Sequence, residues 1–362
     1  MSTAGPPSRA MTSEPSGLGE FDLIRRFFMR PRAAPESGGV TPSGGAARSG
    51  GAAQSGVVLG IGDDAALLEM PPDSELVAAV DAIVAGRHFP HGTDARSIGH
   101  RALAVNLSDV AAMGASPAWA TLALTLPGVD TEWLEGFSEG LLDLADANGV
   151  ALVGGDTTRG PLTVSVQILG HVPRGTALRR SGARAGDLLV VTGTLGDAGA
   201  GLHFLGASPL IGASPPPETR SAALELIRRF EFPLPRVQFG LAARGIATAA
   251  MDLSDGLMGD LPKLAQASGL AAHVAVERLP LSEAMRAAVP AAQARDWALA
   301  AGDDYELLLA VPASRRAQLE AAAGQLNLKL TTIGELRAGG GVTWSLNGRD
   351  FTPGVRGWDH FA

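Results

Sequence analysis

Aspartates stand directly after short apolar or small-residue stretches at five places in the chain. These aspartates are Asp63 and Asp64, Asp81, Asp156, Asp252 and Asp255, and Asp303 and Asp304. Each stretch is typical of a buried strand, so each carboxylate is predicted at a strand end. Turns and helix caps also favour Asp, and for any single site that structural role is the simpler interpretation. Five sites of the same construction instead favour one acidic pocket, whose self-repulsion requires a compensating charge.

Asp109 lies in a segment rich in Ala, Val, Leu and Met, SIGHRALAVNLSDVAAMG, which predicts a helix capped by Ser97 and ended by Gly114. A helix that is apolar on all sides is usually buried. A buried carboxylate is unstable unless it is paired or binds a metal. A salt bridge to Arg101 or a hydrogen bond to Asn106 would satisfy it without a metal. Oxygen ligands without Cys or His favour Mg²⁺, the metal typical of phosphoryl transfer.

Other motifs carry less information. The phosphate loop G-x-x-x-x-G-K-[ST] is absent from the sequence. GTLGDAGAG fails as a dinucleotide loop because Leu195 replaces its second glycine, so its glycines are predicted to let a helix pack closely on a strand. His88 has the simpler interpretation of a packed or capping residue. Arg179 and Arg180 could contact phosphate or only face solvent.

Composition narrows the class of protein. The 362 residues are 46% hydrophobic and 18% charged, which is typical of a globular chain large enough for two domains. A net charge of -8 argues against a nucleic-acid partner. The absence of cysteine excludes disulfides, thiol nucleophiles and Cys-ligated zinc. No apolar run is long enough to span a membrane and no secretory signal is evident, so a cytoplasmic location is predicted.

Biased segments and turn signals predict the domain organisation. Residues 1–18 are predicted to be a disordered tail, and residues 31–56, rich in Gly and Ser, a disordered insertion. Between residues 57 and 173 the pattern predicts the order β-β-α-β-α-β-β, an α+β unit built on one sheet. A boundary near Pro173–Gly175 separates an N-terminal domain, residues 19–173, from a C-terminal domain, residues 174–362.

Several segments occur together in one order along the chain. They are GEFDLI, GIGDDAALL, VAGRHFP, ALAVNLSDVAAMGASPAWATLALTLP, GGDTTRGP, LRRSGARAGD, MDLSDGL, GDDYELLL and GWDHF. In these segments the chain resembles the thiamine-monophosphate kinase family, within the aminoimidazole-ribonucleotide-synthetase-like superfamily. The resemblance runs from about Gly19 to the C-terminus and skips Pro31–Gly56. VNLSDVAAMGA together with GGDTTRGP is its most specific part.

The resemblance implies a fold and an activity. An N-terminal α+β domain would bind ATP and Mg²⁺ and pair with a second copy into a dimeric barrel. A C-terminal α/β domain would follow, with the active site in a cleft between the domains. The implied activity is transfer of the ATP γ-phosphate to thiamine monophosphate. ATP and thiamine monophosphate would be the partners, in a homodimer with no membrane or nucleic acid.

Site residues are carried over from the family by matching positions. The implied ligands of several Mg²⁺ ions are Asp64, Asp81, Asp109, Asp156, Asp252 and Asp255, of which the first four are also assigned to catalysis. The nucleotide contacts implied are Gly155, Asp156, Arg180 and Ser254. Contacts to thiamine monophosphate are implied for His88, Asp303 and Trp358.

The chain departs from the family pattern at three places. Ala79 and Val80 stand where many members have Ser and Thr beside a metal ligand, Asp303 replaces a frequent Glu, and the aromatic residue near the C-terminus varies. Two other functions stay open. One is a different reaction of the same superfamily, such as a purine-biosynthesis synthetase or, less readily without cysteine, a selenophosphate synthetase. The other is a non-catalytic binder of nucleotide or thiamine phosphate.

Overall fold

The computed structural model describes residues 19–29, 56–206 and 217–357. The predicted tail and almost all of the predicted insertion lie outside the described residues, and so does Trp358. Two compact units divide the chain: Met1–Asn106 with Pro117–His171, and Leu107–Ser116 with Val172–Ala362. Within the described ranges, no helix combines the length and the apolar character needed to cross a bilayer.

The N-terminal unit is built on a four-stranded sheet of order β3-β6-β4-β5, beside a separate antiparallel pair, β1-β2. Helix α1 continues as a π-helical turn, Ile24–Phe28, whose Phe27 and Phe28 are buried. The elements are α1 (Glu20–Leu23), β1 (Val57–Leu59), β2 (Leu67–Leu68), β3 (Ser74–Val84), α2 (Ala95–Ala112), β4 (Ser116–Leu126), α3 (Thr131–Ala147), β5 (Ala151–Arg159) and β6 (Thr163–Pro173). The last part of α2, from Leu107 onward, belongs to the other unit.

Helix α2 begins earlier than the sequence predicts. The prediction that Ser97 caps it is wrong, because the helix starts at Ala95 and the Ser97 amide donates to Asp94 Oδ1 at 3.1 Å. Its predicted end is confirmed by Gly114, whose φ of 62° is a conformation that glycine adopts without steric cost.

Glycines bring α2 and α3 close together within the N-terminal unit. A Cβ at Gly99 would collide with the Phe137 carbonyl, and one at Gly140 would collide with the Arg96 carbonyl. Their small size therefore fixes the position of α2, which carries three of the residues discussed below.

The C-terminal unit is built on a seven-stranded sheet of order β13-β12-β9-β11-β7-β10-β8. Five of its six strand pairings are antiparallel and only β9-β12 is parallel, so the sheet is mixed. The elements are β7 (Leu188–Thr192), α4 (Asp197–Phe204), α5 (Arg220–Glu231), α6 (Val237–Ala243), β8 (Ala249–Leu253), α7 (Leu257–Ala267), β9 (Ala271–Ala275), α8 (Glu283–Ala288), α9 (Ala291–Ala300), β10 (Glu306–Val311), α10 (Arg316–Gln325), β11 (Leu330–Arg337), β12 (Val342–Leu346) and β13 (Arg349–Phe351).

The central strands explain why apolar runs precede the functional loops. Every residue of β8 and of β10 is buried. Leu253 pairs with Glu306 and Asp252 pairs with Leu307, so the end of β8 and the start of β10 lie side by side. The loops that adjoin these two strand ends are therefore neighbours.

Candidate functional site

The end of β8 and the loop after it carry three of the predicted site residues of the C-terminal unit: Asp252 in the strand, and Ser254 and Asp255 in the loop. Asp252 is only 5% exposed and its Oδ2 accepts a hydrogen bond of 2.8 Å from the hydroxyl of Ser108. Ser108, which is fully buried, thus holds one oxygen of a predicted metal ligand in place. The prediction that Asp252 lies at the end of an apolar strand is confirmed.

Asp260 and Lys263 on α7 hold the same loop, and neither was predicted from the sequence to belong to a site. Asp260 Oδ2 accepts from the amides of Ser254 at 3.0 Å and Asp255 at 2.9 Å. The Lys263 ammonium donates to Asp255 Oδ2 at 2.7 Å and to Asp260 Oδ1 at 2.9 Å. Burial raises the pKa of Asp260, and the hydrogen bond and charge of Lys263 oppose that shift. A protein cation therefore already rests on a predicted Mg²⁺ ligand, Asp255.

A second loop, between α9 and β10, packs on the first. The Asp303 amide donates to the Ser254 carbonyl, and the Tyr305 amide donates to the Leu253 carbonyl, both at 2.9 Å. A Cβ at Gly302 would collide with the Ser254 carbonyl, so glycine is required there. The two backbones are thus locked together, and Asp303, assigned to the substrate, lies beside Ser254, assigned to the nucleotide.

The conformation of this second loop is unusual. Asp303 and Tyr305 have φ angles of 70° and 50°, a region that costs energy for residues with a Cβ. The Tyr305 hydroxyl donates to Asp303 Oδ1 at 2.9 Å and so orients the carboxylate. The prediction that Asp303 and Asp304 end a strand is wrong, because ALAA closes helix α9 and the strand begins only at Glu306.

Asp304 attaches the loop between α9 and β10 to the start of helix α4. Its carboxylate accepts from the amides of Gly196 at 2.7 Å and Ala198 at 3.4 Å, at the start of α4. Burial raises the pKa of Asp304 well above its ordinary value, although these amides oppose the shift. The amides of the GTLGDAGAG segment therefore bind a carboxylate of the protein itself, which agrees with the rejection of a dinucleotide loop. Gly201 in that segment allows close packing on helix α5, at the Leu226 carbonyl, and not on a strand.

Glu306 is the most buried acidic group of this region. It accepts from Thr192 Oγ1 at 2.6 Å, from Arg229 Nη2 at 3.0 Å and from two nitrogens of Arg236. Burial alone would raise the pKa of Glu306, but the hydrogen bonds and charge of Arg236, with the charge of Arg229, hold it below its ordinary value. This ion-pair group fixes the first residue of β10, directly after the Asp303 loop.

In the N-terminal unit, Asp81 lies inside strand β3. The prediction that Asp81 lies at the end of a strand is therefore wrong. Its amide donates to Asn106 Oδ1 at 3.0 Å, and Asn106, fully buried on α2, donates in turn to the Ala102 carbonyl. His88 Nδ1 accepts from the Val84 amide at 3.1 Å. Because Nδ1 accepts, a neutral His88 imidazole carries its proton on Nε2.

Asp156 also lies inside a strand, β5, contrary to the prediction of a strand end. Its neighbour Gly155 pairs with Leu122 of β4, and a Cβ at Gly155 would collide with the Leu122 carbonyl. Glycine is thus required beside Asp156 for the strands to approach. The side chains of Asp64 and Asp156 are exposed.

Two further predicted site residues, Asp109 and Arg180, are at least partly exposed to solvent. Asp109, near the end of α2, is partly exposed and so is not the fully buried carboxylate expected. Arg180 is exposed, and its carbonyl accepts from Ser268 Oγ at 3.0 Å. In the described part of the chain, no three His, Asp or Glu side chains are arranged as a metal site.

Comparison with known proteins identifies the class first. Residues 62–172 match the family "AIR synthase related protein, N-terminal domain", and residues 184–346 match its C-terminal domain. The chain is therefore an AIR-synthase-related protein with both domains of that class.

Closer relatives narrow the class. Thiamine-monophosphate kinase of Salmonella typhimurium is 45% identical over 345 residues, 95% of this chain and 98% of that protein. The crystal structure of thiamine-monophosphate kinase from Stenotrophomonas maltophilia is 46% identical, with a TM-score of 0.76 over 82% of this chain and 93% of that one. A structure described as AaThiL complexed with AMPPCP and TMP is 32% identical, with a TM-score of 0.69 over 83% of this chain and 92% of that one. The chain belongs to the thiamine-monophosphate kinase family.

Proposed function

We propose that this protein transfers the γ-phosphate of ATP to thiamine monophosphate, forming thiamine diphosphate and ADP. The observation that carries the proposal is the locked pair of loops that sets Ser254 and Asp255 beside Asp303. In the residue assignments taken from the family, one loop contacts nucleotide and metal and the other contacts the thiamine substrate. The relative that is 45% identical over 98% of its length has this activity by name.

Magnesium fits the donor set. Six aspartates supply hard oxygen ligands, which Mg²⁺ prefers: Asp64, Asp81, Asp109, Asp156, Asp252 and Asp255. Ser108 holds Asp252 by a hydrogen bond, and the Lys263 ammonium already lies on Asp255 as a stand-in cation. When bound, Mg²⁺ would screen the repulsion between two anionic reactants and stabilise charge in the transition state. The aspartates Asp64, Asp81, Asp109 and Asp156 are proposed as essential to the transfer.

The residues of the chain position the two reactants for a direct transfer. A phosphate oxygen of thiamine monophosphate attacks the γ-phosphorus, and the bond from that phosphorus to the β–γ bridging oxygen breaks as ADP leaves. Gly155, Asp156, Arg180 and Ser254 are proposed to hold the nucleotide. His88 is proposed to hydrogen-bond to the acceptor phosphate, and Asp303, whose carboxylate accepts from the Tyr305 hydroxyl, to contact the cationic ring of thiamine. Trp358 is kept as a proposed substrate contact. A general base is unnecessary because a phosphate monoester is largely ionised near neutral pH.

Two carboxylate variants test the assignment. Asp81→Asn and Asp109→Asn should abolish turnover and leave the circular dichroism spectrum unchanged. Asp143→Asn is the matched control, because Asp143 lies on α3 and pairs with Arg96 through side chains that are about half exposed. Unchanged kcat in either site variant would contradict the proposed roles. Binding of ATP and thiamine monophosphate without ADP release would indicate a binding protein.

The stereochemistry of transfer tests the direct mechanism. ATP made chiral at its γ-phosphorus by oxygen isotopes and sulfur should give thiamine diphosphate with inverted configuration, because one displacement inverts the centre. Retention would require a phosphorylated enzyme intermediate, which would contradict direct transfer.

We also propose a homodimer that works in the cytoplasm, where ATP is supplied. Strand β3 is an edge strand of its sheet, and its Leu76 and Val80 are 56% and 64% exposed. An exposed apolar edge strand is suited to pairing with a second copy. Leu76→Lys should give monomers by light scattering, whereas Leu326→Lys, a matched exposed leucine of the C-terminal unit, should leave the dimer intact. A wild-type monomer at micromolar concentration would contradict the dimer.

A further inference from the structure

The C-terminal unit contains a cavity that the proposed kinase reaction does not use. It has a volume of about 480 Å³, the size of many small-ligand pockets. Its walls come from the connection between β6 and β7 and from the segment between α6 and β8. Thr248, one of its lining residues, immediately precedes β8, while Asp252 and Ser254 lie at the other end of that strand. At about 3.3 Å per residue, roughly 13 Å separates Thr248 from Asp252 along the strand.

The charge of the cavity is positive. Arg179 and Arg244 line it, and no acidic residue of the described chain does. Within residues 19–29, 56–206 and 217–357, neither guanidinium has an ion-pair or hydrogen-bond partner. A third guanidinium, that of Arg315, donates to the carbonyl of the lining residue Gly245 at 2.9 Å. In a chain of net charge -8, this concentration of free cationic groups selects for an anion.

The hydrogen-bond donors narrow the ligand further. The hydroxyls of Thr176 and Thr248 are already engaged, with the Pro173 carbonyl at 2.8 Å and with Asp187 at 2.6 Å. Asp187 itself is buried and also accepts from the Arg184 amide. The side-chain donors left for a ligand in this cavity are the two lining guanidiniums and the hydroxyl of Ser181. Forked cationic donors of this kind match the oxygens of a phosphate group.

The cavity is also distinct from the proposed nucleotide contact at Arg180. Arg179 and Ser181 line the cavity, but Arg180 between them does not. Arg180 is exposed but is not part of the cavity wall, so both roles can be filled at the same time.

We propose that this cavity is a second anion site, which binds a small molecule carrying a phosphate or diphosphate group through Arg179, Arg244 and Ser181. The site requires no divalent cation, because its charge is supplied by arginine. The proposed ATP and metal site is acidic and depends on Mg²⁺. Binding measured in EDTA thus reports on the second site alone, and its failure would leave the kinase proposal untouched.

Calorimetric titration of the full chain in EDTA with inorganic diphosphate tests the proposal. One equivalent should bind, and Arg179→Glu should weaken binding at least about tenfold, the effect expected from losing a charge-assisted contact and reversing its charge. Arg179 is exposed, so this variant should fold normally. Arg174→Glu, an exposed arginine of the same connection that does not line the cavity, is the matched control and should bind as wild type does.

Two further titrations identify which kind of molecule carries the bound phosphate group. Thiamine diphosphate and ADP titrated in the same buffer show whether the organic part adds affinity over inorganic diphosphate. Saturable binding lost in Arg179→Glu supports the site for whichever ligand binds. An absence of binding by the wild-type protein, or equal weakening by Arg174→Glu, would overturn the proposal.

Discussion

Removing the charge of Glu306 should strongly destabilise the C-terminal unit. Glu306 has no exposed surface, and it accepts hydrogen bonds from Thr192, Arg229 and Arg236. In Glu306→Gln the side chain keeps its shape and one oxygen, but the two guanidiniums lose their shared carboxylate. The perturbation thus separates the charge of the group from its volume.

The magnitude follows from how deeply the two arginines are buried. Their side chains are 22% and 17% exposed, so water can replace only part of the lost interaction. Breaking a buried ion pair costs about 3–5 kcal/mol, and the partial exposure, with Asp197 at 3.9 Å from Arg229, favours the lower end, about 3 kcal/mol. For a unit of this size such a loss lowers Tm by about 6–12 °C.

Differential scanning calorimetry of Glu306→Gln measures the effect. Glu335→Gln is the control, because Glu335 pairs with Arg337 at the surface and its loss should cost less than about 0.5 kcal/mol. A Tm for Glu306→Gln within about 2 °C of the wild-type value would mean that the buried group contributes little and would refute this reasoning.

Three further changes have defined outcomes. Ser108→Ala removes a hydrogen bond to the charged Asp252 and should lower the free energy of unfolding by about 1.5–3 kcal/mol in urea titrations; a loss below about 0.5 kcal/mol would contradict it. Lys263→Met removes the ammonium that competes with a metal for Asp255, so it should tighten Mn²⁺ binding about two- to fivefold, as measured by electron paramagnetic resonance. Lys329→Met, at the chain's other lysine, is the control and should have no effect. Burial raises the pKa of Asp304, so the folded state keeps a proton that the unfolded state loses above pH 3.8, and the contribution of Asp304 to stability falls as pH rises from there. Asp304→Asn should flatten this decline in urea titrations between acid and neutral pH, and an unchanged slope would argue against Asp304 as its cause.

The local sequence pattern predicts the position of a site residue correctly where the apolar run before it forms a strand that ends at that residue. The apolar run before Asp252 does end a buried strand, and the site loop follows it. The same pattern failed at Asp303, because ALAA fits a helix as well as a strand and short apolar runs do not distinguish them. Asp81 and Asp156 lie within long strands whose pairing continues past the carboxylate, which no local signal specifies.

Residues that position the site were missed because their roles depend on contacts distant in sequence. Ser108 is 144 residues from Asp252, and Glu306 is 77 residues from Arg229. Asp260 and Lys263 are close to Asp255 in sequence. An Asp and a Lys three residues apart on a helix are, however, typical of an ordinary surface ion pair, so the sequence alone does not single them out. Burial of Asp260 is the feature that sets it apart, and burial becomes known only with the fold.

Product analysis tests the central claim most directly. The purified protein is incubated with ATP and thiamine monophosphate, with and without Mg²⁺, and nucleotides and thiamine phosphates are separated by chromatography. Thiamine diphosphate and ADP should form in equal amounts, only when both thiamine monophosphate and Mg²⁺ are present. A folded protein that forms no thiamine diphosphate, or that releases ADP at the same rate without the acceptor, would contradict the proposed activity.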